Sequence, residues 1–253
     1  MSAIFSGHDG SADASPARAA VFIDKDGTLV EDVPDNVDPA RVRFTPHALE
    51  ALRMLAERGY PLIVVTNQPG LAYGRFTRAE LTRLQLALAE MMQREGVLLT
   101  DFYACTHAPG PAGPVPACLC RVPAPGLLRQ AARTHRIDLQ RSWMVGDLLD
   151  DIEAGRRAGC RTVLLDVGSE TVWRMSPLRT PHYRVHDLLE AARTIIASDE
   201  AATRLDEGVV PEAQLPQRGE PPGLMRHAAS ALQALARGPR AARAQPGDFG
   251  RLS

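Results

Sequence analysis

The sequence predicts an α/β fold in which a parallel sheet is covered by helices on both faces. Short apolar runs alternate along the chain with segments that carry apolar residues at helical spacing. Such alternation builds βαβ units, whose strands are parallel and buried on both faces. Several of the runs end in acidic or hydroxyl residues, and sheets of this kind bind ligands beyond the carboxyl ends of their strands. We therefore expect a three-layer, doubly wound, Rossmann-like sheet with its functional site at that edge.

The predicted elements follow one another along a domain that spans residues 19–197. Five apolar runs are typical of buried strands, and they lie at 19–23, 62–65, 102–104, 143–145 and 162–165. Five segments have leucine, alanine or methionine at helical spacing, and they lie at 46–58, 77–95, 126–135, 149–158 and 186–197. The last of these helices closes the predicted domain.

The two ends of the chain differ in composition from the predicted domain. Residues 1–18 are rich in serine, alanine, glycine and aspartate without apolar periodicity, which predicts a flexible leader. Residues 198–253 carry no strand pattern and are interrupted by proline and glycine, which predicts a partly disordered tail. Within that tail, residues 224–236 could form one amphipathic helix, which would pack on its own domain or bind a partner.

Composition excludes several classes of partner. The 253 residues carry 29 basic and 30 acidic side chains, with a formal net charge of -1, so no overall positive field gathers nucleic acid or an anionic membrane. No run of 18 apolar residues occurs, and the first residues lack the basic flank and apolar stretch of a signal peptide. We expect a cytoplasmic monomer that binds neither nucleic acid nor a membrane.

Two carboxylates leave the first predicted strand together in the segment VFIDKDGTLV. Asp24 and Asp26 are separated by one residue, and an acidic pair at a buried strand end is costly unless a cation compensates it. Mg²⁺ fits such a pair, because it prefers a few oxygen ligands and retained waters. The alternative is a turn in which an aspartate caps a helix and Gly27 supplies an unusual backbone angle.

Two further strand ends carry polar residues at the same edge. Thr66 and Asn67 follow the second run, where a hydroxyl and amides can hold phosphate oxygens or form an ordinary polar turn. Asp147 follows the fourth run, and Asp151 lies one turn into the next helix. Together with the first acidic pair, these residues predict a site for metal and phosphate.

Four soft metal ligands lie within 16 residues of one another. Cys105 and His107 are one residue apart, as are Cys118 and Cys120. Three thiolates and an imidazole fit a tetrahedral Zn²⁺ site without an open position, which is a structural site. Buried free cysteines are the alternative, and we expect Cys160 to be a core residue of that kind.

The ordered set DKDGT, TNQ and GDxxxD resembles the haloacid dehalogenase superfamily of phosphotransferases. By this resemblance, Asp24 is the nucleophile that forms an aspartyl-phosphate, and Asp26 is the general acid and then the general base. Thr66 binds the phosphoryl oxygens, and Asp151 orients the metal shell. Asp147 holds Mg²⁺ together with the Asp24 side chain and the Asp26 backbone carbonyl.

The cysteine and histidine loop narrows the resemblance. With the segments NVDPARVRF, TNQPGLAYGRFT, CLCRVPAPG and SWMVGDLLDDIEAGRRAGC, it is similar, over roughly residues 19–167, to the bacterial family of D-glycero-D-manno-heptose 1,7-bisphosphate phosphatases. Enzymes of that family remove the 7-phosphate during synthesis of the activated sugar for lipopolysaccharide core or surface glycans. The resemblance implies substrate contacts by the following residues: Asp32, Asp35, Asn67, Gln68 and Arg121.

The sequence departs from this family at two positions. Val122 stands where the family has a lysine after CxCR, and Leu148 stands where it has a lysine after GD. Lys25 is the only lysine of the chain, so we expect no relocated lysine and regard Arg121 as the best remaining candidate for the cation, with Arg75 and Arg129 as other arginines in reach of the site by sequence. The alternatives are an impaired member that binds a phosphosugar or regulates a partner without turnover, and a phosphatase of the related histidinol-phosphate type.

Overall fold

The computed structural model describes residues 17–110 and 118–206. Its strands are β1 (Val21–Asp24), β2 (Leu62–Asn67), β3 (Leu99–Cys105), β4 (Trp143–Gly146), β5 (Arg161–Leu165) and β6 (Tyr183–Val185). Its helices are α1 (Ala48–Glu57), α2 (Arg78–Arg94), α3 (Gly126–His135), α4 (Leu149–Ala158) and α5 (Leu188–Asp206). The predicted helix at 224–236 lies outside the described residues, as do most of the predicted leader and tail.

The six strands form one sheet in the order β3-β2-β1-β4-β5-β6, and each neighbouring pair is parallel. Helices cover both faces because alternate strand residues point to opposite sides. Val21 and Ile23 of β1 pack into a core with residues of α1, α2 and α5, whereas Phe22 packs into a second core with residues of α3 and α4. These observations confirm the predicted doubly wound parallel sheet.

The structure differs from the prediction at two elements. No apolar run indicates β6, because it is an edge strand in which only Val185 is buried. Helix α5 continues to Asp206 instead of ending at residue 197. Asp199 explains the longer helix, since its carboxylate accepts hydrogen bonds from the side chains of Tyr60, Trp143 and Arg161. The residues from 198 to 206 therefore belong to the folded domain and not to the tail.

The strand register brings the predicted site residues to one edge. Asp24 pairs with Val65 of β2, so the last two residues of β2 extend just beyond the end of β1. Ile23 pairs with Val145, which places the end of β4 on the other side of Asp24. Asn67, the last residue of β2, pairs with Cys105 of β3. Cys105, the first of the predicted zinc ligands, therefore lies beside the same edge.

Candidate active site

The predicted metal-binding carboxylates meet at the carboxyl edge of the sheet. Asp24 ends β1, Asp147 follows β4, and Asp151 lies in the first turn of α4. One carboxylate oxygen from each side chain lies within 4.8 Å of the others. Asp147 and Asp151 are buried, and Asp24 is partly exposed. The structure thus brings together three acidic residues that are far apart in the sequence.

Two glycines allow these carboxylates to approach one another. Gly27 has a φ of 81°, and a β-carbon there would lie 2.2 Å from Oδ2 of Asp147. A β-carbon at Gly146 would lie 2.4 Å from the β-carbon of Asp151. A larger residue at either position would displace a carboxylate, so the glycines of the two sequence motifs are required by the geometry of the site.

The acidic cluster carries an electrostatic cost. Burial raises the pKa of Asp24 well above its ordinary value, and the charges of Asp151 and Asp147 raise it further. Burial is also the main cause of the raised pKa of Asp151 and of Asp147. A divalent cation would compensate this repulsion, and Mg²⁺ prefers carboxylate oxygens as ligands. The three residues therefore fit Mg²⁺.

Asp26 is held by two side chains in the structure. Its Oδ1 lies 2.8 Å from Nζ of Lys25, and its Oδ2 accepts a 3.0 Å hydrogen bond from Nε2 of Gln68. Gln68 also donates to the hydroxyl of Thr66 over 3.1 Å. Burial raises the pKa of Asp26, although the Lys25 ammonium lowers it in part. Gln68, expected to contact substrate, thus bridges the carboxylate of Asp26 and the hydroxyl of Thr66.

Lys25, the only lysine of the chain, lies within the site. Only 4% of its surface is exposed, and its ammonium contacts the carboxylate of Asp26. A buried lysine therefore lies at this edge of the sheet. The two departures from the family differ in environment: Val122 is 4% exposed and packs in the core, whereas Leu148 is 41% exposed at the start of α4. In the sequence, the position of the only lysine between the two aspartates of DKDGT indicates that its side chain belongs to the site.

Two hydroxyl groups orient Asp147. The hydroxyl of Thr28 donates to Oδ1 of Asp147 over 3.1 Å, and Thr28 is fully buried. The side chain of Ser169, in the loop after β5, also bonds to Asp147. The threonine of DKDGT gave a signal for the first contact, whereas nothing in the local sequence indicates the second, because Ser169 comes from a distant loop.

Asn67 contacts the backbone beside Arg121. Its Nδ2 donates to the carbonyl of Val122 and its Oδ1 accepts from the amide of Val122, each over 3.1 Å. Asn67 therefore positions the loop that carries Arg121. Nη1 of Arg121 is buried and has no hydrogen-bond partner in the described structure. A buried guanidinium nitrogen with free donors fits an anionic group, and phosphate is such a group.

The two acidic residues expected to contact substrate lie in different environments. Asp35 forms an ion pair with Arg75, which joins the loop after β1 to the loop after β2. Asp32 is exposed, and its charge is among the causes of the raised pKa of both Asp26 and Asp147. Asp32 therefore lies close enough for its charge to affect the carboxyl groups of the site, whereas Asp35 is paired with Arg75.

The predicted zinc ligands cluster beside the ends of β2 and β3. One ligand atom from each of the set Cys105, His107, Cys118 and Cys120 lies within 4.8 Å of the others. Sγ of Cys105 lies 3.6 Å from that of Cys118 and 3.4 Å from that of Cys120. Zn–S bonds of about 2.3 Å in a tetrahedron separate two sulfurs by roughly 3.7 Å, so the arrangement fits Zn²⁺.

Two of the three thiols of this cluster have raised pKa values, whereas hydrogen bonds, including one from the backbone of Arg121, lower the pKa of Cys118 despite its burial. Burial raises the pKa of Cys105, and burial together with the neighbouring thiols raises the pKa of Cys120 to about 12. Because Zn²⁺ binds thiolates, its binding would release the protons of Cys105 and Cys120. Cys160 is buried in the second core, as expected.

The described helices include none with the length and apolar character that crossing a bilayer requires.

Comparison with known proteins identifies relatives of the chain. A family model described as HAD-hydrolase-like matches residues 119–191. The D-glycero-β-D-manno-heptose-1,7-bisphosphate 7-phosphatase of Mesorhizobium japonicum is 36% identical over 185 residues, which cover 71% of this chain and 85% of the relative. The protein of the same name from Pseudomonas aeruginosa is 30% identical over 181 residues, which cover 71% of this chain and 99% of the relative.

Solved structures give the same result. A protein described as a HAD-like phosphatase from Mesorhizobium loti matches with a TM-score of 0.61 and 33% identity, over 72% of this chain and 88% of that one. The D,D-heptose 1,7-bisphosphate phosphatase of B. bronchiseptica, solved with magnesium and phosphate, matches with a TM-score of 0.62 and 28% identity, over 71% of this chain and 99% of that one. The chain therefore belongs to the haloacid dehalogenase-like hydrolases, and among the phosphatases of that family it resembles the heptose 1,7-bisphosphate 7-phosphatases.

Proposed function

We propose that this chain is a magnesium-dependent phosphatase that removes the 7-phosphate of D-glycero-D-manno-heptose 1,7-bisphosphate. One observation carries the proposal: three acidic residues converge at one sheet edge, and a guanidinium nitrogen without a partner lies on the neighbouring loop. The names of relatives that match over most of their length support this substrate.

The residues divide into those that bind and those that react. Mg²⁺, held by Asp24, Asp147 and Asp151, would neutralise the phosphoryl group enough for an anionic nucleophile to approach it. The Asp26 backbone carbonyl would complete the protein ligands. The hydroxyl of Thr66 and the free Nη1 of Arg121 would bind phosphoryl oxygens; we assign the outer contacts to Asp32 and Asp35.

The reaction has two steps. A carboxylate oxygen of Asp24 attacks phosphorus, the bond from phosphorus to the C7 oxygen breaks, and Asp26 gives its proton to that oxygen. Water then attacks the aspartyl-phosphate, Asp26 takes a proton from the water, and phosphate leaves with Asp24 restored. Burial favours the protonated form of Asp26 that the first step needs, because it raises the pKa.

Turnover is favoured over the hypothesis of an impaired binding module. That hypothesis depends on the missing lysines at Val122 and Leu148. The structure provides another buried cation, Lys25, on the acid–base residue. The metal-binding carboxylates are also close enough together to share one ion, which drift after loss of catalysis would not preserve.

We also propose that Cys105, His107, Cys118 and Cys120 bind one structural Zn²⁺. The sulfur separations support this, and so does the location, because the cluster ties the end of β3 to the loop that carries Arg121. Elemental analysis of the purified protein should give about one zinc per chain. A Cys118→Ser variant should contain less zinc and bind phosphate more weakly, and full zinc occupancy in that variant would contradict the assignment.

Phosphate release from both anomers of heptose 1,7-bisphosphate tests the proposed function. Asp24→Asn should abolish release, whereas Asp38→Asn should not, because Asp38 is exposed and only caps a turn through the amide of Ala40. Equal release by the wild type and Asp24→Asn would contradict the mechanism. No release by folded, zinc-containing wild type would contradict the substrate, and activity on histidinol phosphate instead would favour that alternative.

The expectation of a cytoplasmic monomer without nucleic acid or membrane partners is part of the proposal. The formal net charge of -1 supports it, since no overall positive field attracts polyanions. Light scattering of the purified protein at working concentration should give the mass of one chain, 27.4 kDa, and twice that mass would contradict the expectation.

A further inference from the structure

The connection between β5 and β6 contacts helix α4 at its start and further along its length. At the start of the helix, Glu170 accepts a hydrogen bond from the amide of Leu149. Further along the helix, Arg179 forms ion pairs with Asp150 and Glu153. The connection therefore braces the helix that carries Asp151, and the contact made by Glu170 is the nearest of these to the acidic cluster.

The start of α4 needs an acceptor from elsewhere in the chain. The first amides of a helix have no partner within it, and a side-chain oxygen at the residue before the helix usually satisfies one of them. That residue is Leu148, whose side chain has no acceptor. Oε2 of Glu170 takes this place, accepting from the Leu149 amide over 3.0 Å, while Oε1 accepts from the amide of Val172 over 2.9 Å.

The bond made by Glu170 falls between two of the metal-binding carboxylates. Leu149 lies midway between Asp147 and Asp151 in the sequence. Asp151 uses Oδ2 to accept from the amide of Leu148 over 3.2 Å, which leaves Oδ1 for a cation. Because this turn is short and starts at the buried Asp147, fixing its central amide fixes the separation of the two carboxylates.

Glu170 is not itself placed as a ligand. Both of its oxygens accept from backbone amides, and it lies outside the set of three acidic residues whose oxygens come within 4.8 Å of one another. Its charge nevertheless adds to those that raise the pKa of Asp151. A carboxylate in this position is costly to the metal-free site and is compensated when a divalent cation binds.

We propose that Glu170 is a positioning residue for the magnesium site, acting through the backbone of Leu149 to hold Asp147 and Asp151 at the separation that Mg²⁺ requires. The inference rests on the magnesium site of the proposed function. Substitution of groups that orient metal ligands typically weakens metal binding by about 10-fold to 100-fold. We expect an effect on the order of 10-fold for Glu170→Ala, because the ligands themselves remain.

Glu190→Ala is a matched control. Glu190 accepts from the amide of His186 over 2.9 Å at the start of α5, so both substitutions remove one negative charge and one carboxylate that accepts a hydrogen bond at a helix start. Glu190 makes no described contact with the acidic cluster. A difference between the two variants therefore reports the location of the lost carboxylate and not its chemistry.

Mg²⁺ affinity, measured by titration calorimetry and by the Mg²⁺-dependent rise in Tm, tests the inference without any substrate. Glu170→Ala should bind Mg²⁺ about 10-fold more weakly than the wild type. Glu170→Gln, which keeps one oxygen acceptor, should fall between them, and Glu190→Ala should match the wild type.

Three outcomes separate the possible failures. Equal Mg²⁺ affinity in Glu170→Ala and Glu190→Ala, with normal binding by the wild type, would overturn the positioning role and leave the proposed function intact. An equal loss in both variants would also overturn it, since helix capping in general would then be the cause. Absence of Mg²⁺ binding by the wild type would overturn the metal site and the inference together, whatever the phosphatase assay gives.

Discussion

At the scale of single residues, the surroundings of Asp26 are those that the sequence left open. Its two oxygens are held by Lys25 and Gln68, so the group proposed as acid and base has a defined position in the structure. The family resemblance supplied the role of Asp26 but not these contacts, because the sequence does not give the direction of a side chain at a strand end. Lys25 thereby gains a role that composition alone did not suggest.

Substitution of Lys25 should affect catalysis more than binding. Lys25→Met leaves a buried carboxylate without its cation and removes the contact that positions Asp26. Misplacement of a general acid typically costs about 100-fold or more in rate, so kcat should fall by roughly that factor with little change in KM. Lys25→Arg keeps the charge and should retain most of the activity. Steady-state kinetics of the two variants checks this, and equal losses would show that the charge is not what matters.

The acidic cluster also predicts how stability depends on pH. A carboxyl group whose pKa is higher in the folded than in the unfolded protein stabilises the fold most at low pH, and this contribution is lost as pH rises through the folded pKa. Asp24, Asp147 and Asp151 all have raised pKa values. Above about pH 4, where unfolded carboxyl groups ionise, the magnesium-free protein should therefore lose stability as pH increases.

Calorimetry in magnesium-free buffer and in buffer with Mg²⁺ checks this dependence. The rise in Tm that Mg²⁺ produces should grow from pH 5 to pH 8, because more of the cluster would otherwise be ionised without a cation. Asp151→Asn should reduce the growth, since one of the three charges is gone. If the rise in Tm produced by Mg²⁺ were the same at every pH, the carboxyl groups of the cluster would not be ionising and repelling one another over this range, and the account of the cluster would be wrong.

At the scale of elements, the ion pair between Asp35 and Arg75 joins two loops that border the site. The first loop follows β1 and the second follows β2. Gly70 lies against Asp35, since a β-carbon there would meet its Oδ1, so the second loop packs closely on the first. The resemblance assigned Asp35 to substrate contact, and its ion pair with Arg75 indicates a second role in shaping the entrance.

Loss of this ion pair should change substrate binding and not the stability of the fold. Arg75 is exposed, so Arg75→Ala should leave Tm unchanged, while KM rises about two-fold to ten-fold because the loops must be ordered on binding. Asp35→Asn should raise KM similarly. If the two residues act as a pair, the double variant should be no worse than the more severe single variant. Additive effects would mean that Asp35 contacts substrate independently of Arg75.

At the scale of the whole molecule, the sequence predicted what depends on local periodicity. Buried strands and amphipathic helices follow from residue spacing, and the acidic strand ends pointed to the site because parallel strands share one edge. β6 and the last turns of α5 escaped prediction. β6 is a mostly exposed edge strand, and the last turns of α5 are held by the contacts of Asp199 with Tyr60, Trp143 and Arg161 and not by their own pattern. Glu170 and Ser169 escaped because they too contact residues distant in the sequence.

The extended α5 predicts where the chain can be shortened. A chain that ends after Asp206 keeps the contacts of Asp199 with Tyr60, Trp143 and Arg161, and it should retain Tm and activity. A chain that ends after Ala197 loses them, and because removing a partner of buried polar groups costs about 1–3 kcal/mol, its Tm should fall by roughly 5 °C. Thermal unfolding of both chains checks this, and equal Tm values would contradict the role given to Asp199.

The central claim is that Asp24 carries the phosphoryl group during turnover, and an acid-quenched reaction followed by mass spectrometry tests it most directly. Protein mixed with heptose 1,7-bisphosphate and Mg²⁺ and stopped during turnover should carry one phosphate on the peptide that contains Asp24. Asp26→Asn should slow the loss of this phosphate, since water would lack its general base. Phosphate on another residue, or rapid turnover without any protein-bound phosphate in both the wild type and Asp26→Asn, would contradict the account.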